Sequence, residues 1–114
     1  MSIVFVPNEP IYLRGGEHLK LVKIVKSHDN KHKYEAHFQT DGREKVIKFG
    51  AVGYDDYTTH HDDERKRLYL QRHHSRESWS KPDTPGSLSR WILWNKKSLR
   101  ESEKDFKRRF HLHG

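Results

Sequence analysis

The stretch KYEAHFQTDGREKVIKF, residues 33–49, constrains the fold more than any other part of the chain. Asp41-Gly42 is a dipeptide that tolerates positive φ at both positions, as a two-residue type I′ hairpin loop requires. With those two residues as the loop, Ala36 pairs with Ile47 and Tyr34 with Phe49, so apolar side chains meet on one face. On the opposite face Glu35 falls across from Lys48, a favourable charge pair. A slip of one residue would turn every apolar side chain to the wrong side. One register therefore satisfies both faces, and a hairpin is expected here.

Around it the first half reads as β. LKLVKIVKS, residues 19–27, is expected as the preceding strand because Val22, Ile24 and Val25 are β-branched. Its period is untidy, and a short helix is the alternative. SHDNKHK connects it to the hairpin, SIVFV suggests an edge strand before Pro7 and Pro10, and Gly15-Gly16 marks a turn. KFGAVGYDDY carries Gly50 and Gly53 but no Walker lysine, so the glycines are read as letting the chain turn from strand to helix.

The second half reads as α. Thr58 or Thr59 is expected to cap a helix with Asp62, Asp63 and Glu64 in its first turn, running to about Arg76. Thr84-Pro85 resembles a cap followed by proline at the first helical position, and Leu88, Trp91, Ile92 and Asn95 follow at helical spacing. Ser98 and Glu101 form a capping-box pattern ahead of the stripe Leu99, Phe106, Phe110. The expected class is α+β: a small antiparallel sheet, then three short helices packed on one face. One domain covers 1–114, mainly β over 1–57 and mainly α over 58–110, with a tail at 111–114.

Composition narrows the function. Only 32% of residues are hydrophobic, so the core must be small, and 3 Trp, 5 Tyr and 5 Phe supply much of its area. Cysteine is absent, which excludes disulfides and Cys-type zinc sites. No apolar run is long enough to span a membrane, and MSIVFVPNEP lacks the basic start of a secretory signal. The net charge of +7 is uneven. Residues 1–57 hold nine Lys and Arg against eight Asp and Glu; residues 58–114 hold fourteen against eight. That imbalance points to an anionic partner for the second half, with general solubility as the bland alternative.

The candidate contact residues lie mostly on one helical stripe. Arg65, Tyr69, Arg72 and Arg76 fall at i, i+4, i+7 and i+11, flanked by Lys66. Guanidiniums with an aromatic between them suit phosphates, and the tyrosine can stack on a base or pack under an arginine stem. The bland alternative pairs Asp62 with Lys66 and Asp63 with Arg67, which neutralises only the first turn. A second strip is expected at Lys104 and Arg108, since Glu103 can take Lys107 and Asp105 can take Arg109. Trp91 and Trp94 are read as core rather than as a stacking platform beside Arg90. Trp79, in a polar loop, is the aromatic expected to be exposed.

An enzymatic reading would use His60 or His61 as a base with Asp62 or Asp63 beside it, or a metal shared by His60 and Glu64. Adjacent helical residues diverge by about 100°, however, and no His-Glu-x-x-His motif is present. A metal-dependent hydrolase on His60, His61 and Asp63 is the least supported option.

KFGAVGYDDYTTHHDDERKRLYLQRH, then ESW, then PGSLSRWILWNKKSLRESEKDFKRRF resembles a family of small, basic, uncharacterised proteins of nucleocytoplasmic large DNA viruses, over about residues 48–110. Ser80 and Lys97 depart from the family pattern, which has an acidic or asparagine context and a proline there. The resemblance implies a viral context, in infected host cytoplasm or the virion, and transfers no catalytic residue. The resulting expectation is a non-enzymatic basic protein, without cofactor, that binds nucleic acid through phosphates. Duplex DNA, with little sequence preference, is the expected partner. The alternative is a minor capsid component that bridges acidic virion subunits through Trp79 and the SIVFV edge.

Overall fold

In the hairpin, β2 (His32–Thr40) and β3 (Arg43–Ala51) pair antiparallel, with Ala36 opposite Ile47, Tyr34 opposite Phe49 and Glu35 opposite Lys48. Asp41 and Gly42 both take positive φ, 47° and 78°, as the type I′ loop demands. A computed structural model describes residues 19–112, so SIVFV and Gly15-Gly16 lie outside the described residues.

β1 (Lys20–Lys26) pairs antiparallel with β2, giving the order β1-β2-β3. Its untidy hydrophobic period has a structural cause. The register shifts between Leu21 and Lys23, a bulge that leaves Val22 out of step. Leu21 and Ile24 consequently face the same side, opposite Phe38 and Ala36.

The chain then turns through Gly50 and Gly53, both at positive φ. Gly50 is also needed for space, because a Cβ there would lie 3.0 Å from Leu93 Cδ1 and 3.2 Å from Lys33 Cβ.

The helical half corrects the sequence expectation at its start. Where one helix capped by Thr58 or Thr59 was expected, two follow in succession. Asp56 caps α1 (Tyr57–His60), with Thr59 as the reciprocal partner of its capping box. His61 then takes a left-handed conformation and stops it. Asp62 accepts from the Glu64 and Arg65 amides and caps α2 (Asp63–His73), which ends before Arg76. An aspartate outcompetes the threonines at both caps because its carboxylate also favours the positive helix end. The buried Asp56 carboxylate further accepts a 2.6 Å bond from Lys33 Nζ, which fastens α1 to β2.

Farther on, the local signals hold. Thr84 caps α3 (Pro85–Leu88), which continues into a π-helical segment (Ser89–Leu93). Ser98 caps α4 (Leu99–Arg109). The helices cover one face of the sheet. Leu88, Ile92, Leu93, Phe106 and Phe110 pack against Leu21, Ala36, Phe38 and Phe49. Leu112, assigned to the tail from sequence, is buried in the same core.

On the other face of β2, alternation places Glu35 and His37. Glu35 is nonetheless buried beneath the loop after β1. The His28 backbone N–H donates to it at 3.0 Å, and the rings of His28 and His37 lie at 3.4 and 3.2 Å. That backbone bond is the main reason its carboxyl is held at about 2, with burial opposing and the two imidazoles assisting. The folded value lies below the unfolded value of 4.5, so the stabilisation is complete above that pH and drains as pH falls toward about 2. Thermal unfolding across that window should show Glu35→Gln losing less stability on acidification than the parent. Parallel pH profiles would refute the assignment.

Candidate nucleic-acid interface

Helix α2 is mostly polar, and Tyr69 is its one buried residue. That ring stacks on Trp94, with centroids 4.2 Å apart and planes at 5°, and on His73, also at 4.2 Å with planes at 24°. Two rings stacked this closely cannot share one face, so Tyr69 is sandwiched. Of the two roles expected for Tyr69, stacking on a base and packing under an arginine stem, the first is closed off: both of its faces are occupied and it is 7% exposed.

Lys66 is likewise drawn inward rather than toward a phosphate. Its Nζ donates to the Asn95 carbonyl at 2.7 Å and lies 4.7 Å from the centre of the Tyr57 ring. Burial holds its ammonium below the ordinary lysine range, with Arg90 and Lys96 adding repulsion. The acid–base pairs of the bland alternative do not form either. Asp62 is occupied as a cap, Asp63 accepts from the Tyr57 hydroxyl, and Arg67 pairs with Glu64 at 2.6 Å.

Arg65 and Arg72 remain exposed on α2, and no carboxylate among the described residues pairs with either. Both line a groove of about 820 Å³ between α2 and the open end of the sheet. Lys31, Lys33 and Lys48 line its opposite wall, with Leu68 and Tyr54 among the apolar surfaces between. Asp55, Asp56 and Glu77 share the groove. Two of these acids are engaged, Asp56 with Lys33 and Glu77 with His73, and Lys48 is paired with Asp29. The balance left by the lysine–carboxylate pairs is positive: Lys31, Arg65 and Arg72 against Asp55 and Glu77. Arg76 is exposed in the turn after α2 and is not among the groove-lining residues, so the four-residue stripe is cut to two arginines.

The second strip is also altered. Asp105 captures Arg108 at 2.9 Å as well as Arg109 at 3.3 Å, leaving Lys104 as its one exposed member without a carboxylate partner among the described residues. Asp105 is itself buried and takes a 2.7 Å bond from the Asn95 amide. Desolvation opposes its charge, but Asn95 and the two arginines outweigh that and hold its carboxyl below the ordinary range. Lys107 does pair with Glu103, as expected from spacing.

Trp79 departs from its expected exposure. Its indole N–H donates to Glu77 at 3.0 Å, Arg90 lies over the ring, and the residue is half-buried. Trp91 packs against the core with Arg90 and Arg109 at 4.0 and 3.9 Å from its ring centre.

His60, His61 and Asp63 are not brought together. His60 Nδ1 accepts from the Asp62 amide, His61 Nε2 faces the Thr58 carbonyl, and Asp63 turns to Tyr57. Glu64 is held by Arg67 instead of sharing a metal with His60. Among the described residues no group of three or more His, Cys, Asp or Glu side chains is placed to hold a metal ion, and no helix is long and apolar enough to cross a membrane.

Lys31 and Tyr54 have no signal in the sequence, and Lys48, expected to pair with Glu35, pairs with Asp29 instead. Lys31 lies in the β1–β2 loop and Tyr54 in the turn after β3, and these segments are tied by the Val52 amide on the Lys31 carbonyl at 3.0 Å. No local pattern announces such a link.

The fold and groove thus define a small α+β protein in which Lys31, Arg65 and Arg72, three cations without a carboxylate partner among the described residues, line one cleft. Residues 22–73 match the model of a family of unknown function, DUF5754. That stretch runs from within β1 to the end of α2 and contains Lys31, Lys48, Tyr54, Arg65 and Arg72. No curated protein and no solved structure matches the chain.

Proposed function

We propose that this protein is a non-enzymatic nucleic-acid-binding protein that grips phosphates with Arg65 and Arg72 from α2 and Lys31 from the β1–β2 loop. One observation carries the reading. The arginines of α2 that no acid among the described residues neutralises both line the groove, whereas Lys66 and Arg67 of the same helix are engaged elsewhere. Guanidinium favours this role because it is always charged and presents a fork that matches phosphate oxygens. Arg65 and Arg72 are separated by about 10.5 Å along the helix axis, close to the rise of three nucleotides in a stacked strand at ~3.4 Å each.

The resemblance to small basic proteins of large DNA viruses supports a viral setting, in infected cytoplasm or the virion, as part of the same proposal. Docking on acidic virion subunits through Trp79 has less support, because that ring is already held by Glu77 and Arg90.

Salt dependence tests the phosphate reading. Fluorescence anisotropy with labelled nucleic acid between about 50 and about 200 mM salt should show affinity falling steeply. Arg65→Ala/Arg72→Ala should flatten the log–log slope by about 1.8 on a duplex or about 1.4 on a single strand. Arg67→Ala, which removes a paired cation, should change it less. Absence of binding at the low-salt end would overturn the proposal.

A further inference from the structure

Tyr54 is 73% exposed, the most exposed of the large hydrophobic residues among those described, and it lines the cationic groove. Two features fix the chain just before it. Gly53 turns the chain at φ 94°, and the neighbouring Val52 amide is fastened to the Lys31 carbonyl. Unlike Tyr69, whose faces are covered by Trp94 and His73, Tyr54 has no ring stacked on it among the described residues. Leu68, also exposed, lies in the same groove on the side of α2.

From this placement we infer that the groove takes an unpaired strand of nucleic acid, with a base stacked on Tyr54 and the flanking phosphates held by Arg65, Arg72 and Lys31. The inference rests on the phosphate reading above and specifies the form of the ligand. Charge alone favoured duplex DNA, but a duplex keeps its bases stacked on one another and offers no inner base face to a tyrosine. An unpaired strand does, and cationic walls with an exposed aromatic between them are the combination that single-strand binding uses. The contact should be tolerant of sequence, because every base has a π face.

The test compares labelled short oligo(dT) with a duplex of equal length, using the full chain. The parent should bind oligo(dT) more tightly. Tyr54→Ala should lose about tenfold on oligo(dT), in the lower part of the usual range for one base–aromatic stack. It should leave duplex affinity and the salt slope unchanged, and Tyr54→Phe should retain single-strand binding. So exposed a side chain should not be needed for folding, and circular dichroism of the variant checks this. Equal affinity of Tyr54→Ala and parent for oligo(dT) would overturn the stacking inference while salt-dependent binding kept the phosphate reading intact. An equal loss on both probes would also overturn it, since a duplex has no inner base face to lose. If neither probe binds the parent at low salt, both readings fall.

Discussion

Tyr69→Ala is expected to release α2 from the rest of the fold at a cost of roughly 3 kcal/mol, in the range for truncating a buried aromatic. The reason is the scarcity of other attachments. α2 has no apolar stripe; Tyr69 is its only buried residue, and Leu68 is exposed. Besides the Tyr69–Trp94 stack, the tie to the π-helical region is the Lys66 bond to the Asn95 carbonyl. Hydrogen exchange should show α2 amides losing protection while those of β2 and β3 keep most of theirs. The nucleic-acid binding proposed above should weaken in the same variant, because Arg65 and Arg72 would lose their fixed place along the groove. Tyr69→Phe retains both stacks and should be close to parental. Unchanged α2 protection in Tyr69→Ala would show that the helix is anchored otherwise.

Phe106→Ala should be the most damaging of the α4 substitutions, costing about 4 kcal/mol. Phe106 is fully buried and meets Phe110 edge-to-face at 5.3 Å, on the helix that closes the core over the sheet. A domain of this kind has only about 5–15 kcal/mol of total stability, so the variant should approach its unfolding threshold. Urea denaturation would report a large fall in midpoint at similar slope. A loss below about 1 kcal/mol would mean that α4 contributes little to the core, contrary to the packing described. Lys104→Ala on the exposed face of the same helix offers the contrast and should stay within about 0.5 kcal/mol.

Legibility of this chain followed the distance over which each feature is decided. The hairpin register was readable because Asp41-Gly42 and the alternation on either side are contiguous. The caps at Thr84 and Ser98 were readable for the same reason, each side chain bonding an amide three residues ahead. The first helix is less legible although its caps are also local. Four candidate cap residues stand within seven positions, and the left-handed turn at His61, which divides the helix, has no distinct signature. The untidy β1 pattern is visible in the sequence, but the bulge behind it appears only once β2 supplies a register.

The candidate site shows the boundary most clearly. Sequence by itself determined the α+β class, the hairpin, the charge excess of the second half and the set of cations from which a phosphate site would be drawn. These depend on neighbouring residues and on composition. Only the tertiary structure decided which cations remain available. Lys66 is drawn to a carbonyl 29 residues away, and Tyr69 is closed in by a tryptophan from the π-helical region. It also placed Tyr54 and Lys31 in one groove with Arg65 and Arg72. A charged side chain is captured by whichever acceptor the folded chain brings within reach, and for residues distant in sequence that depends on packing of the whole core.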